Sequence, residues 1–143
     1  MRVFLDTNVI LDYLLDSRGE FHAPAVQLMR LAASDWIEVG FSTSQATDLY
    51  YSLRKAAGDE TARFALRRLF TLCELYETPV SACIDALELP IDDYEDAVQI
   101  ETARTNECEF IITRNLRDFE DSTVPYIDPA GFLALQGAPR ERS

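Results

Sequence analysis

A single histidine, three cysteines and five glycines in 143 residues remove several chemistries at the outset. His22 lies beside Phe21 in a polar stretch, so Ser-His-Asp or Cys-His catalysis has one exposed imidazole to rest on. Cys73, Cys83 and Cys108 are odd in number, lack Cys-x-x-Cys spacing and adjoin apolar residues. That is the pattern of reduced core thiols, not of disulfides or zinc ligands. The glycines form no phosphate-cradling loop. Cations are scarce as well: 13 Lys and Arg against 25 Asp and Glu leave a formal net charge of -12 and a pI near 4.4. Proteins that hold nucleic acid by bulk electrostatics carry a basic face, so nucleic-acid contact here is expected to be transient. The acidity also suits a basic protein partner, or carboxylates whose charge is partly neutralised by divalent cations. No apolar run reaches the roughly 18 residues that span a bilayer, and the apolar segment after Met1 is too short for a secretory signal. A cytoplasmic protein without membrane association is expected.

What remains is a composition of 48% hydrophobic and 27% charged residues, enough to bury the core of one domain. The run Val3 to Leu5 reads as a buried strand that stops at Asp6, and Asn8 to Leu15 as an apolar helix. Pro24 then leads a helix over Ala25 to Ala33, and Trp36 to Phe41 is a second strand. Ser42, Thr43 and Ser44 offer an N-cap for a helix to about Ala57, which Gly58 stops. Asp59 caps the next helix, whose stripe Ala62, Ala65, Leu66, Leu69 and Cys73 faces inward while Arg63 and Arg67 face out. Leu75 to Val80 is a short or edge strand, since Pro79 cannot donate to a ladder. Ser81 caps a helix over Ala82 to Leu87. The acidic run Asp92 to Asp96 opens another with Ala97, Ile100, Ala103 and Arg104 on its inner side. Phe110 to Ile112 is a buried strand, Val124 to Ile127 a last one, and Pro129 starts a terminal helix to about Leu135. Strands alternating with helices require crossovers, hence a mostly parallel sheet with helices on both faces. One α/β domain is expected over residues 1–137, with a disordered tail over 138–143.

Such a sheet collects loops at the carboxyl ends of its strands. Asp6 after the first strand, Asp96 in the first turn of a helix and Asp118 past a buried strand fall there, with Asp48 in the helix after the second strand. Each has a plainer use: Asp6 or Thr7 as a helix cap, Asp96 as a complement to the helix dipole, Asp48 as a solvated residue, Asp118 as a turn cap. Carboxylates converging without basic partners repel one another unless a cation sits between them. Mg²⁺ or Mn²⁺ suits an all-oxygen set and assists phosphodiester chemistry.

The segments Phe4-Leu5-Asp6-Thr7-Asn8-Val9-Ile10-Leu11-Asp12, Asp93-Tyr94-Glu95-Asp96-Ala97-Val98-Gln99 and Ile111-Ile112-Thr113-Arg114-Asn115-Leu116-Arg117-Asp118-Phe119 resemble the signature blocks of PIN-domain nucleases, in that order. The family's VapC-type toxins are similar over about residues 2 to 135. The family's second acid, usually Glu, follows a Ser/Thr-rich strand end; here Ser42-Thr43-Ser44-Gln45-Ala46-Thr47-Asp48 fills that place. The resemblance implies a PIN-like three-layer α/β/α sandwich and a metal-dependent endoribonuclease. It implies Asp6, Asp48, Asp96 and a last polar position as metal ligands. Two departures matter. Asp48 is one methylene shorter than Glu, and Asn115 stands where many members carry an acid, leaving Asp118 as the nearest carboxylate to take that role. Thr7, Asn8, Thr113 and Asn115 are supporting polar residues. Arg114 and Arg117 are candidates for the RNA backbone, or else are solvated or paired with Glu120 and Asp121.

The expected activity is that of the toxin of a type II toxin–antitoxin pair, cutting RNA, held by a small cognate antitoxin and forming a homodimer. The rival expectation is a catalytically impaired PIN-like RNA-binding or regulatory module, favoured by Asp48 and Asn115. A phosphatase with Asp6 as nucleophile needs an acid two residues on, and that residue is Asn8.

Overall fold

Val3, Phe4 and Leu5 are fully buried because β1 (Arg2–Leu5) is the middle strand of a five-stranded, all-parallel sheet. The computed structural model describes residues 1–34 and 36–140, and of residues 137–140 only the backbone. The strand order is β3 (Glu74–Tyr76), β2 (Glu38–Ser42), β1, β4 (Phe110–Ile112), β5 (Tyr126–Ile127). The chain therefore builds outward on one side of β1 and then returns to the other. Val3 pairs with Val39 on one flank and with Phe110 on the other. The reversal makes the β1/β4 seam the topological switch point, where a crevice opens outside the strand ends.

Alternation along β1 sends its side chains to two different cores. Val3 and Leu5 join Val39, Phe41 and Ile112 under α1 (Thr7–Leu14), α2 (His22–Ala33), α3 (Ala46–Ala57), α4 (Asp59–Leu72) and α7 (Pro129–Arg140). Phe4 joins Ile111, Ile100, Ala103 and Phe119 under α6 (Tyr94–Thr105). The short α5 (Val80–Asp85) packs against α6 on that side. These are the three layers of an α/β/α sandwich. Gly40 in β2 is required by closeness: a Cβ there would come within 2.7 Å of the Glu74 carbonyl, beneath the Tyr76 ring. Gly58 ends α3 at φ 90°, the left-handed region that a side chain disfavours.

Some element ends differ from expectation, for local reasons. A 3₁₀ stretch over Asp16–Phe21 runs straight into α2, which begins at His22, two residues before Pro24. Helix α5 begins at Val80 with Pro79 at the N-cap position, so Ser81 lies inside the first turn and does not cap it. Asp59 is the first residue of α4 and pairs with Arg63 at 3.0 Å, four residues on. Arg104 faces outward, tied to Glu101 at 2.9 Å. Cys83 is exposed, whereas Cys73 and Cys108 are core residues. The backbone of α7 is helical to Arg140, and residues 141–143 of the expected tail lie outside the described residues.

Candidate active site

The crevice at the β1/β4 seam is closed at its base by one side-chain bond. Thr113, the first residue past β4, donates its hydroxyl to Asp6 Oδ2 at 3.0 Å, joining residues 107 apart in sequence. Asp6 occupies the N-cap position of α1 but makes no side-chain capping bond, while its carbonyl accepts from Val9 at 3.0 Å. The backbone caps the helix and the carboxylate turns to the crevice. Burial pushes the Asp6 carboxyl above its ordinary range; the Thr113 hydroxyl, the Thr7 backbone, the Gln99 side chain and the charge of Arg114 pull it back.

Around this buried acid the other predicted residues gather. Asp6, Thr7, Asn8, Asp48, Asp96, Asn115 and Asp118 line one pocket, joined by Asp93, Glu95, Tyr51 and Ser52. Asp96 is half-buried in the first turn of α6, just after the N-cap Asp93, which accepts from the Glu95 N–H at 2.9 Å. Burial raises the Asp96 carboxyl to about 7, helped by the negative charges of Asp6, Asp93, Asp118 and Glu95. Asp48 is exposed in the first turn of α3. Asp118 is exposed in a 3₁₀ turn, Leu116–Phe119, whose entry is shaped by the Asn115 N–H donating to Thr113 Oγ1 at 3.1 Å.

The two arginines of the β4 loop part ways. Arg114 Nε donates to Asp12 Oδ2 at 2.8 Å, and its guanidinium lies over the Phe21 ring, 4.1 Å from the centroid. Asp12 is 1% exposed and is also reached by Arg18 at 3.4 Å. Arg114 is therefore built into a clamp between α1 and the β4 loop. Arg117 is exposed and makes no ion pair among the described residues; it lines a second, adjoining pocket with Asp92, Asp93, Asp96, Asp118, Glu120 and Asp121.

Three contributors escaped the sequence. Gln45 Nε2 donates to the Leu5 carbonyl at 2.9 Å and to Thr7 Oγ1 at 3.1 Å, while its Oε1 accepts from the Ser42 N–H at 2.7 Å. It stitches the end of β1 to the end of β2 and orients Thr7. The Ser42-x-x-Gln45 capping box was the available signal. Gln99 is 1% exposed on α6, three residues after Asp96, and its Oε1 is buried without a partner among the described residues. Glu95 faces Asp48: burial first, then the Asp48 charge, raises its carboxyl. An acid beside a short Asp48 extends that corner of the pocket.

In donor chemistry the pocket fits a divalent cation. Among the described residues it is lined by six carboxylates and by no lysine, arginine or histidine, and the Asp96 and Glu95 carboxyls, raised first by burial, are raised further by the acids around them. The acids stand around the pocket without closing on one point: among the described residues no three His, Cys, Asp or Glu side chains form a ready cage.

A PIN-domain family model matches residues 2–117. No curated protein matches the sequence significantly. Among solved structures, VapBC2 from Rickettsia felis bound to a promoter DNA fragment aligns over 90% of this chain and 98% of that one, with 16% identity and a TM-score of 0.70. DNA-bound VapBC from Salmonella typhimurium aligns over the same shares at 19% identity and a TM-score of 0.70. VapC20 of Mycobacterium tuberculosis, a sarcin-ricin loop cleaving toxin, covers 76% of this chain and 86% of its own at 21% identity and a TM-score of 0.61. At these identities the likeness is one of fold.

Proposed function

Because the chain belongs to the PIN-domain family, matched by its model over residues 2–117, we propose that it is a divalent-metal-dependent endoribonuclease and the toxin of a type II toxin–antitoxin pair. The observation that carries this is that Asp6, Asp48, Asp96 and Asp118 line one pocket with no basic lining residue among the described residues. Those four would hold Mg²⁺ or Mn²⁺, which when bound supplies Lewis acidity toward the scissile phosphate. The rest falls to the chain. Thr113 and Gln99 fix the Asp6 carboxylate. Asp48, open to solvent with Glu95 beside it, accepts the proton of the attacking water. Thr7, Asn8 and Asn115 offer neutral donors to phosphate oxygens. Arg114, committed to Asp12, acts through the position of the β4 loop and not by gripping RNA. A small cognate antitoxin is part of the reading, supported by the VapBC complexes that share the fold, and a homodimer is proposed beside it.

A second reading, a binding or regulatory module without cleavage, is favoured by the neutral Asn115 and by acids that form no ready cage. One experiment separates them. Antitoxin-free protein is incubated with RNA and Mn²⁺, alongside Asp6→Asn and Asp96→Asn, with circular dichroism on all three. Metal-dependent cutting that both changes reduce at least about a hundredfold, on an intact fold, is expected. RNA bound but left uncut with every divalent cation tried would establish the second reading.

A further inference from the structure

Two grooves adjoin the acid pocket, and their linings are opposite in charge. One shares Asp93, Asp96 and Asp118 with it and adds Asp92, Glu120 and Asp121 around the single cation Arg117. The other shares Tyr51 and runs between α3 and α4, lined by Tyr50, Arg63, Arg67 and Phe70 with no acid. A phosphodiester chain crossing the first passes six carboxylates; crossing the second it passes two guanidiniums and aromatic faces. In a chain of net charge -12, this contrast decides direction. Of 13 basic residues, Arg54, Lys55, Arg63, Arg67 and Arg68 lie on the α3–α4 hairpin.

Tyr51 is held as a platform at the lip between pocket and groove. It is 61% exposed, yet its ring is braced edge-on by Tyr50, with centroids 5.2 Å apart. The Tyr50 hydroxyl donates to Asp59, which also takes Arg63 at 3.0 Å, and Arg63 lies over the Tyr50 ring. Asp59 thus consumes one positive charge. Arg67 makes no ion pair among the described residues, and Arg54 lies near enough to act on both Tyr50 and Asp59. The groove is net positive after that subtraction.

We infer that single-stranded RNA runs between the acid pocket and the α3–α4 groove, with the base beside the scissile phosphate stacked on Tyr51 and a neighbouring phosphate on Arg67. This rests on the ribonuclease reading and adds the path of its substrate. Every base has a π-face, so such a platform is tolerant of sequence, and recognition of a particular target lies elsewhere.

The test is fluorescence anisotropy with a labelled oligouridine of about twelve nucleotides, on protein carrying Asp96→Asn so that the probe survives. Tyr51→Ala weakens binding about tenfold and Tyr51→Phe restores it. Arg67→Glu weakens binding and lowers the salt slope by about one. Arg30→Glu, the same charge change on exposed α2 outside both grooves, leaves the slope unchanged. In a second arm, 4-thiouridine RNA crosslinks to the peptide bearing Tyr51. Parent-like binding by both groove variants, or crosslinks confined to residues 114–121, overturns the path. So does Tyr51→Ala splitting a dimer without direct loss of RNA, which makes this face an interface between copies. With Asp96 intact, RNA cutting that survives while the groove variants change nothing sinks the path alone; protein with Asp96 intact that neither binds nor cuts RNA sinks the ribonuclease reading with it.

Discussion

Cys83 stands apart from the other two thiols. Burial raises the Cys73 thiol to about 12 and the Cys108 thiol to about 11, and both lie in apolar clusters. Cys83 is exposed on α5. Thiolate, not thiol, is the nucleophile, so a thiol reagent titrates one group in native protein and three after denaturation; two fast-reacting native thiols would contradict the packing. The same contrast shows what residue type conveys. Three cysteines with apolar neighbours look alike in sequence, and only their place in the fold separates them: Cys73 at the end of α4 and Cys108 before β4 are buried, while Cys83 is exposed on α5. Asp6 was legible because a strand stops at it. Gln45 and Gln99 were not, because a buried amide is recognised by what it bonds, and those partners lie 38 and more residues away in the case of Gln45 with Thr7 and Leu5.

At the scale of elements, the Arg114 to Asp12 pair ties the loop after β4 to α1, 102 residues earlier. Removing one partner of a buried pair leaves the other charge stranded. Arg114→Ala, which takes the closest counter-charge from the 1%-exposed Asp12, is therefore expected to cost about 3 kcal/mol in urea denaturation, and Asp12→Ala with Arg114→Ala less than the sum of the single changes. Additive losses would show that the clamp is not one unit. Strands and long helices were legible from apolar runs and stripes; β1, β4, α3 and α4 lie where periodicity puts them. The clamp was not, since Asp12 reads as one more polar residue on an apolar helix. The α5 boundary was missed because a serine after proline looks like a cap, while proline itself can hold the N-cap position.

For the whole molecule, the acid pocket makes stability depend on pH in an uncommon direction. Asp96, Asp6 and Glu95 all hold protons to higher pH in the folded state than in the unfolded chain. The folded state then binds more protons, so their contribution is fully present below the ordinary carboxylate range and is lost as pH rises through about 7 for Asp96. Metal-free protein should show a Tm that climbs as pH falls from 8 to 5. The lowered Asp59 works the other way, but it is exposed and shared with Tyr50 and Arg63. On the proposed metal-dependent reading, Mn²⁺ at about a hundred times its Kd is expected to add about 2.7 kcal/mol at pH 8, a gain that should shrink toward pH 5 as protons compete for the same oxygens. A Tm indifferent to both would mean that the carboxylates do not act as a group.

The bond from Thr113 to Asp6 spans the seam between the first strand and the fourth. A ribosome making this chain therefore releases Asp6 and Asp48 long before the strand that closes the crevice beneath them, with Asp96 following only shortly ahead of it. Nascent chains shorter than about residue 113 carry the acids without their frame. Any chemistry of the pocket therefore waits until β4 has emerged and docked against β1.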